Sequence, residues 1–84
     1  LRAVLLLSGL HYVSMSTSAL AAANIRAELA RQHLSQRALA PILGVSATGV
    51  SKRLSGITPI DVDELGKIAD FLGINAATLI QDAA

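Results

Sequence analysis

Read for the spacing of its apolar positions, the chain is helical over most of its length. Ile25 and Leu29 lie four apart with Ala22 and Ala30 nearby, and Ser16, Thr17 and Ser18 offer N-caps just before them, which predicts a first helix over about residues 18 to 32. Ser35 can cap a second, short helix whose Leu39, Ile42 and Leu43 share a face, and Gly44 suits the left-handed position that ends it. Ser46 can cap a third helix over about residues 46 to 55, stopped by Gly56. After a loop holding Pro59, Asp61 and Glu64 have the spacing of a capping box. Leu65, Ile68, Ala69 and Leu72 then follow an i, i+3, i+4, i+7 stripe closed by Gly73. Asn75 can cap a last helix carrying Leu79 and Ile80. No strand alternation occurs after residue 15, so the expected class is all-α with five short helices. Its core is expected to contain Leu29, Leu39, Leu43, Val50, Leu54, Leu65, Ile68 and Leu72.

The beginning of the chain breaks this pattern. Residues 1–17 form an apolar extension, with a nearly unbroken run from Ala3 to Leu7, ahead of a domain at 18–84. A leader, or a stretch upstream of a start at Met15, is compatible with it. So is a secretory signal with Arg2 at its head and Ala19-Leu20-Ala21 as cleavage site, but His11 and Tyr12 interrupt the apolar region. The run is too short to span a membrane. It is expected to pack, as a short strand or helix, on the core or on a neighbouring chain, because a solvated run would be an exposed apolar patch.

Composition narrows the function. With 84 residues the chain holds one domain, and the 52% hydrophobic content argues against wholesale disorder. It has no cysteine, which removes disulfides and thiolate metal sites. Tyr12 and Phe71 are its only aromatics, which disfavours modules that stack single-stranded bases. The net charge of +1 conceals a division. Between residues 24 and 56, Arg26, Arg31, Arg37, Lys52 and Arg53 stand against Glu28, a balance of +4. Between 57 and 84, Lys67 stands against Asp61, Asp63, Glu64, Asp70 and Asp82, a balance of −4. A molecule so polarised can present one face to an anionic partner, although a solvated surface of mixed charge fits the same counts.

On a helical wheel of the third helix, Val50 and Leu54 point inward. Thr48, Lys52 and Ser55 lie opposite, flanked by Gly49 and Ser51. Small polar side chains allow close approach to base edges, Lys52 can donate to guanine, and the Thr48 methyl can meet a thymine methyl. An ordinary amphipathic helix has the same periodicity, and periodicity does not separate the two readings.

The stretch Leu34-Ser35-Gln36, Leu39-Ala40, Leu43-Gly44-Val45-Ser46, Val50-Ser51 and Gly56 resembles the Cro/phage-repressor-type (XRE) helix-turn-helix family. Leu65 to Ile74 resembles that family's fourth helix and closing turn, so the likeness covers about residues 20 to 81. The resemblance implies a five-helix DNA-binding domain, commonly a homodimer on a near-palindromic double-stranded operator. It implies that Gln36 opens helix 2 against phosphate, that Ala47, Thr48 and Lys52 read bases, that Ser46 caps the recognition helix, and that Ser55 lies near the backbone. Ser51 flanks the reading face, and Arg37 and Arg53 are placed where a docked helix pair meets phosphates. Three departures stand out: Pro41 inside helix 2, Gly49 inside the recognition helix, and Arg53 just before Leu54.

The expectation is therefore a sequence-specific transcriptional regulator, a repressor, working in the cytoplasm of a bacterial or phage-infected cell. It would need no cofactor, metal or membrane. The alternative is a protein–protein adaptor, or an antitoxin that joins both roles, using the same scaffold with a protein partner. An enzyme is the least favoured class. Ser35, Ser46 and Ser51 have no histidine–acid partners in a nucleophilic arrangement, there is no Gly-rich phosphate loop, and Asp61, Asp63 and Glu64 fit a helix start better than a metal site. His33, near the end of the first helix, fits C-terminal capping better than ligation.

Overall fold

The computed structural model describes residues 16–82, so the expectation for the apolar segment at residues 1 to 14 lies outside the described residues. The elements are α1 (Thr17–Arg31), a 3-10 turn (Gln36–Ala38) running into α2 (Leu39–Leu43), α3 (Ala47–Leu54), α4 (Val62–Leu72) and a 3-10 segment (Ala76–Ile80). Four α-helices are thus present among the described residues, not five. The expected fifth helix is the 3-10 segment. Asn75 does cap it, accepting from the Ala77 N–H at 2.9 Å, but with five residues it stays in the tighter winding usual for short pieces.

The caps explain where the other helices begin. Ser16 accepts from the Ala19 N–H at 3.0 Å, and Ser46 from the Gly49 N–H at 3.0 Å. Asp61 and Glu64 close a full capping box. The Glu64 N–H donates to Asp61 Oδ1 at 2.7 Å and the Asp61 N–H donates to Glu64 Oε1 at 3.3 Å. Ser35 differs: its side chain makes no cap bond, and the helix opens as a 3-10 turn instead. This start accommodates Pro41, which becomes the third residue of α2, inside the first turn, where a backbone N–H has no intrahelical acceptor to lose.

The core contains Ile25, Leu29, Leu39, Val50, Leu54, Ile68, Ala69, Leu72 and Leu79. Leu43 and Leu65, expected to be fully buried, are only half-buried and pack on its rim. Leu43 is the last residue of a five-residue helix, beside the turn. Leu65 faces a shallow groove shared with Ala21, Ile60, Val62 and Ile80. Ala21 and Ala22 are also buried, and their small size lets the start of α1 lie close to its neighbours.

Helix α1 serves as the hub through its polar side chains as well as its apolar stripe. Ser18 Oγ accepts from the Ile60 N–H at 2.8 Å, fixing the loop before α4. Asn24 Nδ2 donates to the carbonyls of Leu79 at 2.7 Å and Gln81 at 2.9 Å, tying down the C-terminal segment. Gln32 Nε2 donates to the Leu72 carbonyl at 2.9 Å, at the end of α4. Arg26 donates through Nη1 to the Leu54 carbonyl, at the end of α3. Each bond satisfies a backbone group that a helix end or loop leaves unpaired.

Candidate nucleic-acid interface

The unit that presents α3 is built from α2, the turn at Gly44-Val45-Ser46, and α3. Gly44 adopts φ 68°, a left-handed conformation that an L side chain rarely takes, and the N–H groups of Gly44 and Val45 both donate to the Ala40 carbonyl, at 2.8 and 3.1 Å. Ser46 then starts α3 at once. Val50 and Leu54 are buried, which fixes the rotation of α3 about its axis. Ala47, Thr48, Ser51, Lys52 and Ser55 are consequently exposed together on the far side. Gln36 and Arg37, in the 3-10 turn that opens α2, are exposed as well. Neither Lys52 nor Arg37 forms an ion pair among the described residues.

Arg53 is placed differently from the expectation of a phosphate contact. Its guanidinium lies against α4, with Nε 3.1 Å from Glu64 Oε1 and Nη2 3.0 Å from Glu64 Oε2, while Nη1 donates to the Gly49 carbonyl at 3.0 Å. Its side chain is only 16% exposed. The hydrogen bonds to Glu64 hold the guanidinium above its ordinary pKa, and its charge is directed inward to the α3–α4 junction. Glu64 therefore serves both its capping box and this pair.

The same contact accounts for Gly49. A Cβ there would lie 3.1 Å from Val45 Cβ and 3.4 Å from Arg53 Nη1. The glycine lets the turn residue Val45 and the Arg53 head pack on the helix, a reason internal to the fold. Ser55 Oγ donates to the Lys52 carbonyl at 3.2 Å, which closes the last turn of α3 beside its exposed face.

Gln36, Ser51 and Ser55 meet around a cleft of about 370 Å³, joined there by Leu54 and by Arg26 from α1. In the sequence Arg26 is only one charge of the basic middle stretch. Its link to Leu54, 28 residues away, follows no local spacing and becomes visible only once α1 and α3 are packed. No group of three or more metal-ligating side chains occurs among the described residues, and no helix among them is long and apolar enough to cross a membrane.

A helix-turn-helix family model matches residues 25–79, well over half of the chain. No curated protein and no solved structure gives a significant match. The matched span begins within α1 and runs into the 3-10 segment, taking in the turn at Gly44 and all of α3. The chain belongs to the helix-turn-helix family of the Cro/phage-repressor (XRE) type, a family of DNA-binding transcription regulators.

Proposed function

We propose that this chain is a sequence-specific repressor that binds a near-palindromic duplex operator as a homodimer, with α3 in the major groove, in the cytoplasm of a bacterial or phage-infected cell. The observation that supports this most is the outer face of α3: five exposed residues, four of them small and the fifth an unpaired lysine. Lys52 donates to a guanine edge, and the methyl groups of Thr48 and Ala47 meet thymine. Gln36 and Arg37 hold phosphates from the 3-10 turn that precedes α2, Ser55 and Ser51 lie along the backbone, and Ser46 caps the inserted end. Arg53 acts by anchoring α3 to α4. Repression follows from occupancy of the operator.

The test begins with selection of a preferred duplex from a random pool. Binding isotherms are then measured on that duplex and on a scrambled one across salt. Lys52→Ala should cost about 1–3 kcal/mol on the selected duplex and relax preference at one base pair. Arg37→Ala should weaken both duplexes alike and lower the salt slope by about one unit. Equal weakening of both duplexes by Lys52→Ala would make Lys52 a phosphate contact and leave specificity to Thr48, Ala47 or DNA shape. An adaptor reading draws on the exposure of Ile57 and Val62, at 72% and 82%. It becomes the better one if wild type and both variants ignore duplex DNA.

A further inference from the structure

Resting on that reading, we propose that Arg26 and the cleft it shares with Gln36, Ser51 and Ser55 form a seat for one DNA backbone phosphate at the edge of the groove that α3 enters. The cleft is walled by three elements that the fold holds together: α1 through Arg26, the 3-10 turn through Gln36, and the second half of α3 through Ser51, Leu54 and Ser55. Ser51 and Ser55 belong to the exposed face of α3, so an anion in the cleft lies beside whatever α3 docks on.

The chemistry of the walls suits a singly charged oxyanion. None of the five lining residues is acidic. Arg26 is exposed, and one of its five N–H donors is engaged by the Leu54 carbonyl. That bond sets the guanidinium at the cleft without neutralising it. A carbonyl carries only a partial charge, whereas the inward-facing Arg53 has a full carboxylate partner. The remaining guanidinium N–H groups, the Gln36 amide and the Ser51 hydroxyl are all able to donate. Charge-assisted donation to phosphate is where arginine exceeds other side chains. The bond to Leu54 also means that the same residue that meets the phosphate fixes the end of α3, so backbone contact and helix placement are mechanically joined.

The test compares wild type, Arg26→Gln and Arg26→Lys on the selected duplex between 50 and 200 mM salt, with thermal melting of each protein alone. One phosphate contact contributes about 0.9 to the salt slope. Over that range the affinity of Arg26→Gln should therefore fall by a factor about threefold smaller than that of wild type, and Arg26→Lys should restore most of the slope. If Arg26→Gln binds more weakly with the wild-type slope, Arg26 only positions α3 and the phosphate seat is wrong. A wild-type protein that binds no duplex would instead overturn the DNA-binding reading itself. Titration of the free protein with inorganic phosphate at constant ionic strength, followed by amide shifts of Ser51 and Ser55, should show no saturation. Saturable binding there would make the cleft a small-anion site and overturn its assignment to the DNA backbone.

Discussion

At the scale of single residues, His33 shows a local rule being broken at a cost. It follows the last turn of α1 with φ 58°, and it is the one described residue other than glycine with a positive φ. The His33 N–H donates to the Ala30 carbonyl at 3.1 Å and the Leu34 N–H to the Leu29 carbonyl at 2.9 Å, the pair of bonds that closes a helix through a left-handed residue. The expected capping role is thus filled by the backbone of His33. Helix α4 ends through the same pair of bonds with Gly73, at φ 73°. A side chain in this conformation costs roughly 1–2 kcal/mol, and glycine returns part of that through the unfolded chain. His33→Gly is expected to stabilise the fold by about 0.5–1 kcal/mol, raising the melting temperature by several degrees; an unchanged or lower melting point would contradict it. A second residue-scale prediction concerns Glu28. Its carboxylate accepts from Gln32 Nε2 at 2.8 Å and from Arg31 Nη2 at 2.6 Å, and these bonds, Gln32's first, hold its pKa below the ordinary value. A lowered folded pKa gives stability that is present above the unfolded value and is lost as pH falls through the folded one. Between about pH 5 and pH 3 the urea midpoint should therefore fall more in wild type than in Glu28→Gln. Parallel falls would remove Glu28 from the acid response.

At the scale of elements, the helices that sequence made legible are those with a cap and a stripe. Helix α4 has both, in the Asp61–Glu64 box and the Leu65-Ile68-Ala69-Leu72 stripe, and its end at Gly73 follows from the same reasoning. Helix α3 was legible for the same reason, since the positions of Val50 and Leu54 fix its rotation and hence its outer face. The second helix opens differently from the expectation because Pro41 and the missing cap at Ser35 favour a 3-10 opening, a balance that periodicity does not register. The last segment is a 3-10 segment and not the expected helix because its cap and apolar residues are compatible with either winding, and only its length decides. Within the site, the helical wheel puts Gly49 on a flank of the outer face and leaves Arg53 for phosphate, with no reason for a glycine at 49 and no inward partner for Arg53. Val45, Glu64 and the Gly49 carbonyl supply both, and two of those three lie outside α3. Loss of the pair in Arg53→Ala should loosen the α3–α4 junction. It is expected to lower the melting temperature and to weaken duplex binding with little change in salt slope, because no phosphate contact is removed. A slope lowered by about one unit would restore Arg53 to the phosphate contacts.

At the scale of the whole molecule, the order of the parts follows from α1. Its apolar stripe fills the core, and Ser18, Asn24, Arg26 and Gln32 each grip the backbone of a different segment, over separations of 28 to 57 residues. Such long-range side chain-to-backbone bonds leave no signature in spacing, which is why the fold class was legible while the bond from Arg26 to the end of α3 was not. The charge division was legible as a count. Packing shows what it does: Arg53 crosses to the acidic half and binds Glu64, while Arg37 and Lys52 remain unpaired near the turn and α3. On the proposed function this face, and not the acidic half, meets DNA. The measurement that tests it most directly is an amide-shift titration of the isotopically labelled protein with its selected duplex. The largest changes are expected on Arg26, Gln36, Arg37, Ala47, Thr48, Ser51, Lys52 and Ser55, with small changes at Lys67 and Asp70 on α4. Changes centred on Ile57, Val62 and Ile80, or none in α3, would contradict it.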